Sequence, residues 1–381
     1  MRRQYRFGQM YLTNNIVSAL FQIDTVFVGG GAMKFGVFDH VDYSGKRIGD
    51  HLEARLRMAE AYDRCGIHGY HVAEHHGTPL GYAPSPGILL SAVAQRTTRL
   101  KLGPLVYLLP LYDPLRLTEE IVMLDQMSDG RFMLGVGRGV SPIELDFFGV
   151  DIKEAQAKYD EALTCIMQGL HEDRLTFSGT YFSYDNVPMT GKTIQQPHPE
   201  LWYGVFNPDS TIWAAANDAN VVTLALGDGV RAITDRYRAE WAKLGKPADQ
   251  IPLMGVSRHI VVADTDQEAR ALARTAYRHW HDSFAKLWND AGLDVPLVGT
   301  IYPREWDDLA AIGNGCAGSP ETVRRYVQEE AEKGGFNYLV SWFAFGNLGV
   351  AEVTKSVELF SRHVMTAFDD RAAAAALASA L

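Results

Sequence analysis

The forty residues from Leu100 to Gly139, LKLGPLVYLLPLYDPLRLTEEIVMLDQMSDGRFMLGVGRG, decide the fold. Leu100–Tyr107 is a short apolar run and reads as a strand. Pro114–Met127 reads as a helix, and Phe132–Val136 as a second strand. A strand, a helix of this length and another apolar strand make a unit whose two strands lie parallel, because only a crossover can join them.

Working outward, the same alternation runs to both sides. Before it, Lys34–Phe38 and Gly69–Ala73 read as strands. His51–Cys65 reads as a helix, with Leu52, Leu56, Ala59 and Tyr62 at helical spacing and Gly66 as its stop. Ser85–Thr97 is a helix with Pro86 near its start, where a missing N–H costs little. After it come helix Lys153–His171 and a hairpin insertion over Leu175–Tyr184, turning at Ser178-Gly179. Strands follow at Leu201–Val205, Val221–Leu226, Pro252–Ala263 and Asn337–Phe343. The helices between and after them are Asp209–Ala216, Val230–Leu244, Gln267–Trp288, Pro320–Lys333 and Val350–Met365. Gly292–Gly318, rich in Gly and Pro, reads as a long loop. Eight apolar strands in strict alternation with helices predict an α/β fold, a single (β/α)8 TIM barrel with hairpin and loop insertions. The barrel is expected over residues 33–368, with 1–32 an N-terminal extension and 369–381 an alanine-rich tail.

Composition narrows the function. The chain has 381 residues, 47% hydrophobic and 22% charged, with a net charge of −10. A binder of duplex phosphates needs a basic face, so this balance argues against nucleic acid, and equally against an anionic membrane surface. The three cysteines, Cys65, Cys165 and Cys316, show no metal-ligand spacing and read as free thiols in a reducing cytoplasm. No apolar run reaches ~20 residues, the length that spans a bilayer.

In such a barrel, chemistry belongs where strands end and the following loops begin. The second strand ends in Glu74-His75-His76, where an imidazole suits proton transfer near neutral pH. A zinc site there is a weaker reading, because the other strand ends offer no matching ligand pair. The fourth strand runs into Gly135-Val136-Gly137-Arg138-Gly139. Small residues there would admit a ligand close to the backbone, and Arg138 offers a fork that suits phosphate. The spacing is not that of a dinucleotide fold. The fifth strand runs into Asn207-Pro208-Asp209-Ser210-Thr211 and a helix, an arrangement that binds phosphate or simply caps the helix. Trp280, on the long helix after the seventh strand, is either core or a wall for a planar ring.

Taken together, Val72-Ala73-Glu74-His75-His76, the Leu100–Gly139 stretch and His279-Trp280-His281-Asp282-Ser283 resemble the luciferase-like monooxygenases, most of all the α subunit of bacterial luciferase. The resemblance runs from Met33 to about Phe368. It implies a cytoplasmic flavoprotein that takes reduced FMN as cosubstrate and oxygenates a small, largely apolar substrate with O2 through a flavin hydroperoxide. It further implies a separate flavin reductase and a homodimer. By the match His75 is the catalytic histidine. Glu74, Leu105, Val106, Arg138, Asn207, Ser210, Thr211 and Trp280 fall on flavin-binding positions, Leu105-Val106 where an unusual peptide bond often occurs. Pro208 and Gly137 depart from the luciferase pattern, which makes light emission a poor expectation. Hydride transfer with a deazaflavin on the same barrel, and a non-catalytic flavin-binding partner subunit, are the two alternatives.

Overall fold

The computed structural model describes residues 33–297 and 300–368; the expectations for 1–32 and for 369–381 lie outside the described residues. In chain order the elements are β1 (Lys34–Asp39), α1 (Ile48–Arg64), β2 (Gly69–Val72), α2 (Pro86–Arg96), β3 (Lys101–Pro104), β4 (Tyr107–Leu108) and α3 (Pro114–Met127). Next come β5 (Met133–Gly137), α4 (Pro142–Phe147), α5 (Ala155–His171), β6 (Arg174–Ser178), β7 (Ser183–Pro188), β8 (Glu200–Val205), α6 (Ser210–Ala216), β9 (Asn220–Thr223) and α7 (Asp228–Lys243). The chain closes with β10 (Met254–Val262), α8 (Asp266–Asp290), α9 (Trp306–Ala311), β11 (Gly315–Gly318), α10 (Pro320–Gly334), β12 (Tyr338–Trp342) and α11 (Val350–His363).

The large sheet is parallel and runs β3-β2-β1-β12-β10-β9-β8-β5-β4, with a Leu102–Phe132 bridge linking its two ends. This is the barrel read from the sequence. β6 and β7 form the separate antiparallel hairpin. Three readings are corrected. The stretch Gly292–Gly318 is not loop throughout: it holds α9 and β11, and β11 pairs with the far end of the nine-residue β10. The third strand is broken into β3 and β4 around a cis peptide between Leu105 and Val106. A short helix, α4, stands where no element was expected.

Most barrel strands are buried along their whole length, because helices cover the outside and side chains fill the inside. The bore is plugged by Met133, Trp202, Val222, Tyr338 and Val340, with Leu105 packed above them. His71 joins this plug by a 2.9 Å hydrogen bond between Nε2 and the Tyr338 hydroxyl. A Cβ on Gly36 would lie 1.8 Å from that hydroxyl oxygen, so only glycine leaves space for the phenol there. A filled bore leaves a ligand just the C-terminal mouth.

Candidate active site at the barrel mouth

Strand register brings the mouth residues into one row. Asp39 pairs with Val72, Leu108 with Gly137, and Val136 with Tyr203. Therefore His40, Glu74-His75, Leu108, Arg138 and Asn207 follow one another around the same rim. Trp342 stands on the other side of β1 and pairs with His259 of β10.

Glu74 is buried, and its burial raises its pKa despite its hydrogen bonds. Its Oε1 meets His76 Nε2 at 2.9 Å and its Oε2 accepts from the Leu108 N–H at 3.1 Å. It thus ties β2 to β4 across the irregular third strand. His75 is one-fifth exposed, and its Nδ1 lies 3.1 Å from Glu144 Oε1. Glu144 Oε2 also accepts from the His76 backbone N–H at 3.1 Å. Glu144 belongs to α4, so the loop after β5 reaches back over the end of β2 and orients the imidazole. Ser141 caps α4 by accepting from the Glu144 N–H, Pro142 opens it, and the Ser-Pro-x-Glu spelling was the readable sign of this element. The role of Glu144 itself was missed, because nothing local links it to a histidine 69 positions away. The loop Gly77–Pro84 closes on the same histidine: a Cβ on Gly81 would stand 2.9 Å from His75 Cβ. Beside it a cavity of about 880 Å³ opens between this loop, Tyr43–Gly45 and the α8 residues His279, Asp282, Ser283 and Lys286.

Leu105 and Val106 are half-buried at the floor of the mouth. Gly135 and Gly137 do not open room for a ligand, as the sequence suggested. A Cβ on Gly135 would lie 1.9 Å from Pro104 O, and one on Gly137 2.3 Å from Val106 Cγ2. Their smallness serves strand packing. Arg138 is exposed; its guanidinium makes one 3.3 Å bond to Gly139 O and no ion pair among the described residues. An exposed arginine fork with no carboxylate partner among the described residues fits an anion. One strand further, Ser210 N–H and Oγ both bond Asn207 Oδ1, at 3.1 and 3.3 Å. Thr211 is buried, and its hydroxyl donates to Pro208 O at 2.6 Å. Its hydroxyl is therefore engaged within its own turn.

Trp280 is fully buried. It stacks on Phe284 with rings 5.1 Å apart, packs against Tyr302 and Trp342, and donates its indole N–H to His40 Nδ1 at 3.3 Å. It stands behind the mouth rather than open to it. His40, which the sequence reading passed over, is almost buried and lies 5.4 Å from His75, centroid to centroid. Burial first, then the neighbouring His75 and His259, holds His40 neutral, its pKa well below the usual histidine value. His259 is also buried and neutral, packed edge-on among Trp280, Tyr277 and Phe345. Below this group, Asp39 and Asp42 share Arg55, at 3.0 and 3.6 Å, in full burial.

A rim with an oriented imidazole, a free guanidinium and aromatic walls over a plugged parallel barrel describes a class of cofactor-dependent oxidoreductase. The luciferase-like monooxygenase family model matches residues 33–338, and the chain belongs to that family. A Sinorhizobium fredii protein of unassigned function, y4wF, is 40% identical, over 83% of this chain and 92% of its own. The crystal structure of the monooxygenase RslO1 from Streptomyces bottropensis aligns with TM-score 0.79 and 26% identity, over 88% of this chain and all of that one. The oxygenating constituent of 3,6-diketocamphane monooxygenase from Pseudomonas putida, a type II Baeyer–Villiger enzyme solved with FMN, aligns with TM-score 0.70 and 23% identity over 88% and 98%. Among the described residues no helix is long and apolar enough to cross a membrane.

Proposed function

We propose that this chain is the oxygenating component of a flavin-dependent monooxygenase, taking reduced FMN and O2. The observation that carries the reading is the single rim that joins a Glu144-oriented His75 to an Arg138 fork with no carboxylate partner among the described residues. Arg138, with Asn207 and Ser210, would hold the phosphate; Leu105 and Val106 would lie under the ring. Reduced FMN, when bound, supplies the electrons with which O2 is activated.

The remaining work belongs to the protein. Glu144 accepts the His75 Nδ1–H, which leaves Nε2 facing the mouth as the atom that takes and returns a proton. Glu144 also stabilises the imidazolium while it exists. The plug below and the loop Gly77–Pro84 beside His75 keep water from the reacting centre. A reductase on a separate chain would deliver the flavin, in keeping with the diketocamphane neighbour's description as one constituent of its enzyme. The family likeness adds a homodimer in the cytoplasm to this reading.

Stopped-flow mixing with O2 of protein pre-loaded anaerobically with reduced FMN tests the proposal. Bound flavin is expected to reoxidise along a course distinct from free flavin, and His75→Ala to change that course without releasing the flavin. Reoxidation indistinguishable from free flavin would refute it. Turnover of a reduced deazaflavin without oxygen uptake would instead favour hydride transfer.

A further inference from the structure

The cavity of about 880 Å³ beside the mouth has two unlike walls. One wall comes from the loop Gly77–Pro84 and the turn at Tyr43, and it is built of rings. Tyr43 and Tyr82 meet edge-on at 5.2 Å, and Pro79 and Pro84 continue the surface. The other wall is α8, which presents His279, Asp282, Ser283 and Lys286. Offsets of three, four and seven residues place these four on one face of the helix. The ammonium and the carboxylate on that face are already engaged: Lys286 pairs with Asp290, and Asp282 lies 4.0 Å from Arg304. Ser283 differs. It is only 7% exposed, it lines the cavity, and its hydroxyl makes no hydrogen bond among the described residues. A hydroxyl so deeply set normally has a partner. The loop wall, in turn, touches the active site in two places. A Cβ on Gly81 would stand 2.9 Å from His75 Cβ, and one on Gly77 2.6 Å from the ring of Phe147, on the helix that carries Glu144. The loop is also stitched to the chain after β1: the Tyr43 N–H donates to Pro79 O at 2.8 Å, and the Tyr82 N–H to Val41 O at 3.0 Å.

We infer that this cavity is a binding site in its own right for a neutral, ring-shaped apolar molecule with one oxygen, its rings against Tyr43, Tyr82 and the prolines and its oxygen on the Ser283 hydroxyl. The volume lies in the range that holds a small organic molecule. A serine hydroxyl both donates and accepts, so an alcohol or a ketone oxygen satisfies it. A charged molecule gains little here: it loses hydration on entry, and the ammonium and carboxylate of the α8 face already have partners. The occupant packs against the same loop that touches His75 and α4, so filling the cavity is felt at His75 through contact. The binding and the contact stand on the geometry alone; only their consequence for turnover rests on the monooxygenase reading.

The test uses the full chain without flavin and three probes of one shape: 2-naphthol, naphthalene and the 2-naphthoate anion, each followed by equilibrium dialysis at pH 7. Naphthol is expected to bind about two- to tenfold more tightly than naphthalene, the worth of one hydrogen bond, and naphthoate more weakly than naphthol. Ser283→Ala should bring naphthol down to the level of naphthalene and leave naphthalene unchanged. Ser283→Leu, which fills the cavity, should weaken both by about tenfold or more. Tyr82→Ala, on the opposite wall, should weaken both as well and stands in if the leucine variant misfolds. In protein labelled with ¹⁵N-histidine, naphthol should move the His75 side-chain signals of the parent and not those of Ser283→Leu. Equal binding of naphthol and naphthalene, tighter binding of naphthoate, parent-like affinity in Ser283→Leu or unmoved His75 signals would overturn the inference. No flavin enters these measurements, so a failure to bind FMN would strike the proposed function and leave this result standing.

Discussion

At the residue scale, the proposed proton transfer falls to His75, with Glu144 Oε1 3.1 Å from its Nδ1. His75→Ala is expected to lower kcat by about 10²–10⁴-fold, the usual worth of a positioned acid–base group, with FMN affinity kept. Glu144→Gln keeps the size of the side chain but can present an amide N–H to Nδ1, favouring the wrong tautomer. Its kcat should fall on the order of 10²-fold or more, with the loss appearing in kcat rather than KM. A Glu144→Gln enzyme with normal kcat would mean that Glu144 only braces α4. Reading the sequence singled out Glu74-His75-His76 because three ionisable residues at a strand end stand out locally, and His75 among them through the resemblance alone. It could not locate Glu144, His40 or His259. Each of those is an ordinary residue where it stands, and is brought to the mouth only by the fold: β1 beside β2, β10 beside β12, and α4 folded back over the end of β2.

At the element scale, the closeness of β3 and β5 fixes the floor of the mouth. Gly135→Ala puts a carbon 1.9 Å from the carbonyl oxygen of Pro104, and a backbone atom has no rotamer by which to move aside. A loss of about 3 kcal/mol is expected, at the upper end of overpacking costs, read as a lower denaturant midpoint at unchanged slope. An unchanged midpoint would show that the strands part easily. The strands themselves were legible because a strand covered on both faces is a continuous apolar run. β11 was not: Gly315-Cys316-Ala317-Gly318 is short and small, and its burial comes from packing against β10. The doublet of glycines in β5 was legible as a need for space but not as to what fills it. Neighbouring backbone and a valine fill it, not a ligand.

At the scale of the whole molecule, the two carboxylates on Arg55 tie β1, α1 and the loop after β12 together beneath the mouth. Asp42 accepts from the Gly346 N–H at 2.7 Å, and burial pushes its pKa up to about 7 in spite of Arg55. The folded protein thus keeps this proton up to about pH 7, while the unfolded chain releases it near the ordinary value of 3.8. Between those limits the unfolded state binds fewer protons, so the stability this group contributes is present at low pH and is lost as pH rises toward 7. Asp42→Asn still accepts from Gly346 and cannot ionise. Its unfolding free energy, compared with the parent at pH 5 and pH 8 in urea, should lack that decline and exceed the parent's at pH 8 by at least about 1 kcal/mol. Equal pH dependence in the two proteins would count against it. The barrel was legible as a whole from its alternation. This buried triad was not, because Asp39, Asp42 and Arg55 look like surface charges until a helix is laid on a strand.

The central claim is that one ligand spans the rim from His75 to Arg138, its phosphate on the guanidinium. Anaerobic titration of the parent protein and Arg138→Ala with reduced FMN and with reduced riboflavin, which lacks the phosphate, tests it most directly. The account predicts that the parent binds FMN at least ~10-fold more tightly than riboflavin, a charge-assisted bond being worth about 1.5–3 kcal/mol, and that Arg138→Ala loses this preference while riboflavin binding stays the same. Equal affinity of the parent for both flavins, or an undiminished preference in Arg138→Ala, would contradict it.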